Sequence, residues 1–285
     1  MRNSQRITLF VAVASMPAAA SFCAPAAYGA QTAPAAAAIP APFYADIADL
    51  VLRSPVVLDS VIRSVVKLRG EPALGAAPGM VRHYVEADVI ALVRGTDAVP
   101  GRIGWIIDLA PDARGKLPNL RKQRVLVFAR PVTGRANQVQ LTGANAQQRW
   151  SAAADALTRR IIGETLAADA PPQITGIGQA FHVAGALPGS GETQIFLTTD
   201  DRRPVSLSVL RAPGEAPRWA VALSEIVDEA ATVPARDTLL WYRLACGLPA
   251  RLPASAIEAL APTERRAAVE DYRFVLNALG PCTRT

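Results

Sequence analysis

The chain has 285 residues, 51% of them apolar and 19% charged, with a formal net charge of +6. That apolar content supports a sizeable core, and the length suits two modest domains rather than one. The charge is too mild and too scattered to mark a polyanion site. Arg121, Lys122 and Arg124 form the densest cluster, and the pairs at 159–160, 202–203 and 265–266 read as solvated turns and helix faces.

The first 30 residues have the three-part layout of a secretory signal peptide. Arg2 and Arg6 precede an apolar stretch that begins at Ile7, and small residues follow up to Ala30. Cleavage falls after Ala30 or at a neighbouring bond. The stretch is interrupted by Pro17 and falls short of the roughly 20 apolar residues that a membrane span requires. Phe22 precedes Cys23 where a lipoprotein signal needs a small residue. Removing residues 1–30 leaves 28 basic and 24 acidic side chains, a net charge of +4. Residues 31–42 are rich in Ala and Pro and read as a semi-rigid tether. No later stretch is apolar enough to span a membrane, so the expected location is periplasmic or secreted.

A first domain is expected over residues 43–169. Residues 43–54 predict a short leading helix. Residues 56–68 and 82–94 predict two long strands with partial alternation. In the first, Val56, Leu58, Ile62, Val66 and Leu68 share one face and Asp59, Arg63 and Lys67 the other, which Val57, Val61 and Val65 dilute, so the strand reads as largely buried. In the second, Val85, Ala87, Val89, Ala91 and Val93 oppose Arg82, Glu86 and Asp88. Strands follow at 102–109, 124–130 and 139–141, with Gly134 and Asn137 in the turn before the last. A helix from Ser151 to about Ala168 closes the unit, with Ser151 as its cap and Ala154, Leu157 and Ile161 as its buried stripe. Five strands and a flanking helix fit a small OB-like barrel.

The runs at 56–68, 86–95 and 124–128 resemble the strand pattern of netrin-like modules, which are secreted OB barrels. The resemblance covers residues 43–169 and implies a fold and a binding role, with no activity. The cysteines that mark many such modules are absent here. OB barrels also bind nucleic acid, which requires a basic groove with aromatic platforms. Tyr84, Trp105 and Phe128 lie on strands, but Trp105 alternates with Ile103 and Ile107 as a core residue does. Together with export, this argues against a nucleic-acid partner.

Residues 169–172 read as a linker to a second domain over 173–285. Strands are expected at 174–183, 193–199, 205–210 and 219–226. The short Gly-, Pro- and charge-rich turns between them predict an antiparallel meander. A helix from about Pro234 to Ala245, stopped by Gly247, is followed by one after Pro262 with Thr263 as cap. Val269, Tyr272, Leu276 and Leu279 recur in it at helical spacing. Cys246 and Cys282, the two cysteines left after cleavage, read as a disulfide that staples the final helix to its partner. The fold class is therefore α+β: an OB-like barrel, a β-meander and a stapled helix pair.

No catalytic constellation emerges. His182, Ser190 and Asp200 lie close in sequence, but Ser190 stands in Pro-Gly-Ser-Gly-Glu rather than a G-x-S-x-G elbow. His83 and Glu86 point to opposite faces of a strand. Glu86 and Asp88 share a face but are only two carboxylates, and Asp228 and Glu229 read as the polar end of a strand. No metal, cofactor, phosphate loop, dinucleotide fingerprint or repeat is indicated. Two groups are candidates for binding. Asp108, Asp112, Arg114 and Lys116 cluster at and after the third strand, where barrel loops carry function. Trp241, Tyr242 and Arg243 form the one dense aromatic and basic group. The leading expectation is a non-enzymatic envelope protein that binds a protein or polymer or helps assembly. A hydrolase of envelope polymers and a small-ligand carrier using the barrel mouth are the alternatives.

Overall fold

The structure is a computed structural model, and it describes residues 42–95, 98–223 and 231–284. The expected signal peptide and all of the expected tether but Pro42 lie outside the described residues, as do Asp228 and Glu229. The described residues belong to one compact unit.

The chain opens with α1 (Tyr44–Arg53) and continues through β1 (Val56–Lys67), β2 (Val81–Arg94), β3 (Arg102–Leu109), β4 (Arg124–Val132), β5 (Arg135–Leu141) and β6 (Gln147–Arg149). These strands close a barrel in the order β1-β2-β3-β5-β4-β1. β1 pairs antiparallel with both β2 and β4, so no sheet edge remains on that side. β3 and β5 run parallel and meet at one bridged pair, Gly104 and Gln138. β6 extends the sheet along β4 beyond the end of β5. The interior is packed by Leu58, Ile62, Val85, Ile103, Trp105, Val127 and Val139. Trp105 is 1% exposed, and its indole N–H donates to Gln147 Oε1 at 2.9 Å, which satisfies the polar atom that its burial carries inward.

β1 departs from simple alternation. Its first five residues are all buried, because Leu58 faces the barrel interior while Val57 faces a second core formed with the helices. Three register shifts along β1 then change which side chains face inward. Val66, expected beside Leu58 and Ile62 on the apolar face, is 55% exposed, and Asp59, on the opposite and more polar face, is 2% exposed. Arg124 receives that buried carboxylate with two bonds of 2.9 and 2.6 Å and stacks on Trp150 at 3.8 Å. β4 is buried on both faces in the same way. Val125, Val127 and Ala129 face the interior, and Leu126 and Phe128 face the helical layer. β5 starts at Arg135 and includes Asn137, because its first three residues are exposed and leave no apolar signature. β6, wholly polar, was not expected.

α2 (Ala152–Leu166) is capped by Ser151, whose Oγ accepts the Ala154 N–H at 3.1 Å. Its buried face is Ala154, Thr158, Ile161 and Ile162. The second sheet is an antiparallel meander of β7 (Ile174–Ala184), β8 (Gly191–Thr199), β9 (Val205–Arg211) and β10 (Arg218–Ala222). Residues 224–226, expected to prolong β10, lie outside the described residues. Ile195, Leu197, Leu207, Val209, Trp219 and Val221 join α1, α2 and the C-terminal helices in one apolar core.

α3 (Leu239–Ala245) starts later than expected. Asp237 adopts φ 58°, outside the helical region, and Thr238 caps the helix through the Trp241 N–H. α4 (Pro262–Leu279) carries Pro262 in its first turn, and Ala261 rather than Thr263 holds the cap position. The Glu264 carboxylate accepts the Ala261 N–H at 3.0 Å. Cys246 and Cys282 are bonded, with Cα atoms 5.2 Å apart, and the bridge ties the end of α3 to the segment after α4. No helix among the described residues is long and apolar enough to cross a membrane.

Candidate functional site: a groove on the barrel

The outward face of β2 and β3 carries a groove of about 780 Å³. In antiparallel register, Arg82 lies opposite Asp108, Tyr84 opposite Ile106 and Glu86 opposite Gly104. The β1–β2 loop supplies Leu68, Pro72, Ala77 and Met80 as one wall, and β5 supplies Arg135, Gln138 and Gln140 across the seam. Ile106 is 49% exposed and Met80 39% exposed, so the groove presents apolar surface to solvent.

Arg82 organises the wall. Its Nε and Nη2 donate to the two Asp108 oxygens at 2.8 and 2.9 Å, and the guanidinium also reaches Leu74 O at 2.6 Å and Gly75 O at 2.8 Å. The side chain therefore clamps the β1–β2 loop onto the sheet and is fully engaged. The Arg82 hydrogen bonds hold the Asp108 carboxyl below the usual carboxylate range. Gly104 opens the floor. A Cβ at this position would lie 2.0 Å from Tyr84 Oη and 2.5 Å from its Cζ, so the phenol ring rests where a side chain would stand. Glycine is required here for space, as glycines inside strands often are.

The expected binding residues separate. Asp108 belongs to the groove. Asp112 instead closes its own loop by accepting the Arg114 and Lys116 N–H groups at 2.9 and 2.8 Å, and it does not line the groove. The Arg114 and Lys116 side chains are exposed. Trp241 is buried, with its indole N–H on Leu279 O at 2.9 Å, and packs edge-on to Tyr44. Tyr242 donates to Asp49, which Arg284 also holds at 2.7 Å. Burial, with Asp49 beside it, pushes the Tyr242 phenol up to about 12. Both aromatics act as core anchors, although Tyr242 also borders a cleft that Arg243 lines. Of the aromatic platforms considered for bases, Phe128 is buried away from the groove, Trp105 lines it but is itself buried, and Tyr84 borders it half-buried.

Neither family models nor curated proteins match this chain. The site must be read from its own geometry.

His182, Ser190 and Asp200 are not assembled. His182 pairs with Thr193 across the β7–β8 ladder, whereas Asp200 follows the far end of β8, seven residues or about 24 Å away. Asp200 accepts the Gln173 N–H at 3.1 Å, and Ser190 Oγ donates to Leu187 O at 2.7 Å in its own turn. His182 instead heads a buried polar line. Thr193 donates its hydroxyl proton to the Asp271 carboxylate, so it accepts from His182 Nδ1 at 2.8 Å, and Arg211 Nε holds Asp271 at 2.5 Å. Thr193 and Asp271 are both fully buried, which fits an internal brace between sheet and α4. His83 is buried with Nδ1 on Val81 O at 2.8 Å. No cluster of three or more potential metal ligands occurs among the described residues.

Sequence reasoning passed over Arg82, Gly104 and Ile106 as site residues. The signal was the Gly inside the apolar run Arg-Ile-Gly-Trp-Ile-Ile-Asp-Leu, opposite a strand that carries Tyr84 on its wet face.

Proposed function

We propose that this protein is an exported envelope binding module whose groove takes an extended polypeptide, added alongside β3. The observation that carries this reading is the incomplete β3–β5 seam. β3 meets β5 only at Gly104 and Gln138, so residues 106–109 have no strand partner on that side among the described residues. An open strand edge bordered by an apolar floor suits strand addition. Backbone bonds supply affinity there, and pockets for alternate side chains supply selectivity. The packed barrel interior speaks for a partner on the outside of the barrel rather than a small ligand carried within it. The signal-like residues 1–30 and the Cys246–Cys282 bridge support export to an oxidising compartment.

A photo-crosslinking residue at position 106 tests the partner in intact cells. A discrete protein adduct, lost when Ile106→Asp is placed beside a crosslinker at Met80, is the expected result. Labelling of lipid or polysaccharide alone, or no adduct, refutes a polypeptide ligand. Mass spectrometry of the N-terminus tests export. A mature chain that starts near Gln31 supports it, and a retained Met1 overturns it.

A further inference from the structure

We propose that a second cleft, between α1, the start of β7 and the end of α3, binds a small oxyanion, a carboxylate or phosphate group, through Arg243. This site is separate from the barrel groove and does not depend on how that groove is used.

The cleft has a volume of about 310 Å³ and is bordered by Asp49, Arg53, Gln173, Arg243 and Gly247. Arg243 is its uncompensated charge. Its Nε is buried without a hydrogen-bond partner, and no ion pair to the guanidinium occurs among the described residues. A buried donor left unpaired is uncommon in native proteins and calls for an explanation. Burial also pushes the Arg243 guanidinium below its usual range. Neither nearby carboxylate compensates it. Asp49 is taken by Arg284 and Tyr242. Asp200 is felt only through space, and its Oδ1 accepts the Gln173 N–H. Arg53, at the end of α1, adds a second guanidinium to the same cleft.

The cleft lining therefore sets two arginines, Arg53 and Arg243, against one acid, Asp49, already held by Arg284, with Asp200 nearby but outside the lining. A planar guanidinium presents paired N–H groups that match the oxygens of carboxylate or phosphate. The cleft has room for a metabolite-sized anion. If the arginine were kept only for structure, it would be bonded to an acid or to backbone carbonyls. Arg243 is bonded to neither among the described residues, although it lies in the last turn of α3 where carbonyls are free.

The mature protein is heated in phosphate, in succinate and in chloride at matched ionic strength. An anion bound only by the folded state multiplies the folding constant about a hundredfold at a hundred times its dissociation constant. The expected result is a saturable rise in midpoint with phosphate or succinate over chloride, and the responding anion names the class. Arg243→Met abolishes the rise while unfolding in chloride no earlier than wild type, because an unpaired, half-buried cation is replaced by an apolar chain. Arg243→Lys keeps the charge, loses the fork and weakens the response. No rise with either anion overturns the proposal, as does a rise that persists in Arg243→Met. Early unfolding of Arg243→Met in chloride also overturns it, since the arginine is then structural.

Discussion

Gly104→Ala is the most direct probe of how the groove is built. The added methyl would stand 2.0 Å from Tyr84 Oη and 2.5 Å from Tyr84 Cζ, both far inside contact distance. The strand backbone is tied to β2 through the whole β2–β3 ladder, so the side chain must yield. Tyr84 is half-buried at the groove and has solvent to swing into. Overpacking of this kind costs about 1–3 kcal/mol. For a chain of this size that lowers the unfolding midpoint by about 2–12 °C. The decisive measurement is a double-mutant cycle by urea denaturation with Tyr84→Ala. Tyr84→Ala empties the space that the new methyl needs, so the double variant loses less than the two single losses combined, by about 1–3 kcal/mol. Additivity within about 0.5 kcal/mol would show that Tyr84 and position 104 do not compete for the same volume, and the account of the groove floor would fail.

Two further outcomes follow from the fold. Replacing Cys246 and Cys282 by Ser opens a loop with a sequence separation of 36, worth about 4 kcal/mol in the loop-entropy model. Thermal unfolding with and without the bridge should differ by about 8–16 °C, and equal midpoints would refute the staple. The second concerns acid. Asp108 titrates below its usual value in the folded state, chiefly because Arg82 donates to it. Its contribution to stability is present above the unfolded carboxyl pKa of about 3.9 and is lost as pH falls through the lower folded value. Arg82→Gln should therefore destabilise the protein at pH 6 and much less at pH 2. A penalty that is independent of pH would show that Arg82 acts only through the Leu74 and Gly75 carbonyls.

The legible parts of the fold were those where one physical cause dominates. Ser151 before an amphipathic run, the turns of the meander and the even pair of cysteines each act locally, and each appears where the sequence places it. The misreadings occurred where tertiary context overrides period. Val66 turned outward because bulges shift the register of β1, and Asp59 is buried because the face opposite Leu58 is covered beside β4 and Arg124. Polar β6 and the first half of β5 exist because β4 offers them a backbone edge, a cause that side-chain patterns do not record. The Trp241, Tyr242 and Arg243 triplet looked like one surface. Helical geometry sends Trp241 and Tyr242 into the core and Arg243 to a cleft, since successive residues turn by about 100°.

The difference between the two sides of the barrel explains where the groove lies. β1 and β4 read as nearly continuous apolar runs, Val56 to Leu58 and Val125 to Ala129, because the barrel interior takes one face and the helical layer the other. β2 and β3 alternate instead, with Arg82, Tyr84, Glu86 and Asp88 outward on one and Arg102, Gly104, Ile106 and Asp108 outward on the other. Alternation signals a strand with a free face. The covered side binds the barrel to the rest of the chain and leaves it no surface to offer. The free side holds the glycine, the exposed Ile106 and the open seam to β5. Side-chain period thus separates the structural side of the barrel from the side that carries the groove. Converting the outward polar residues of β2 to apolar ones would widen the exposed apolar surface on that same face without stabilising the barrel.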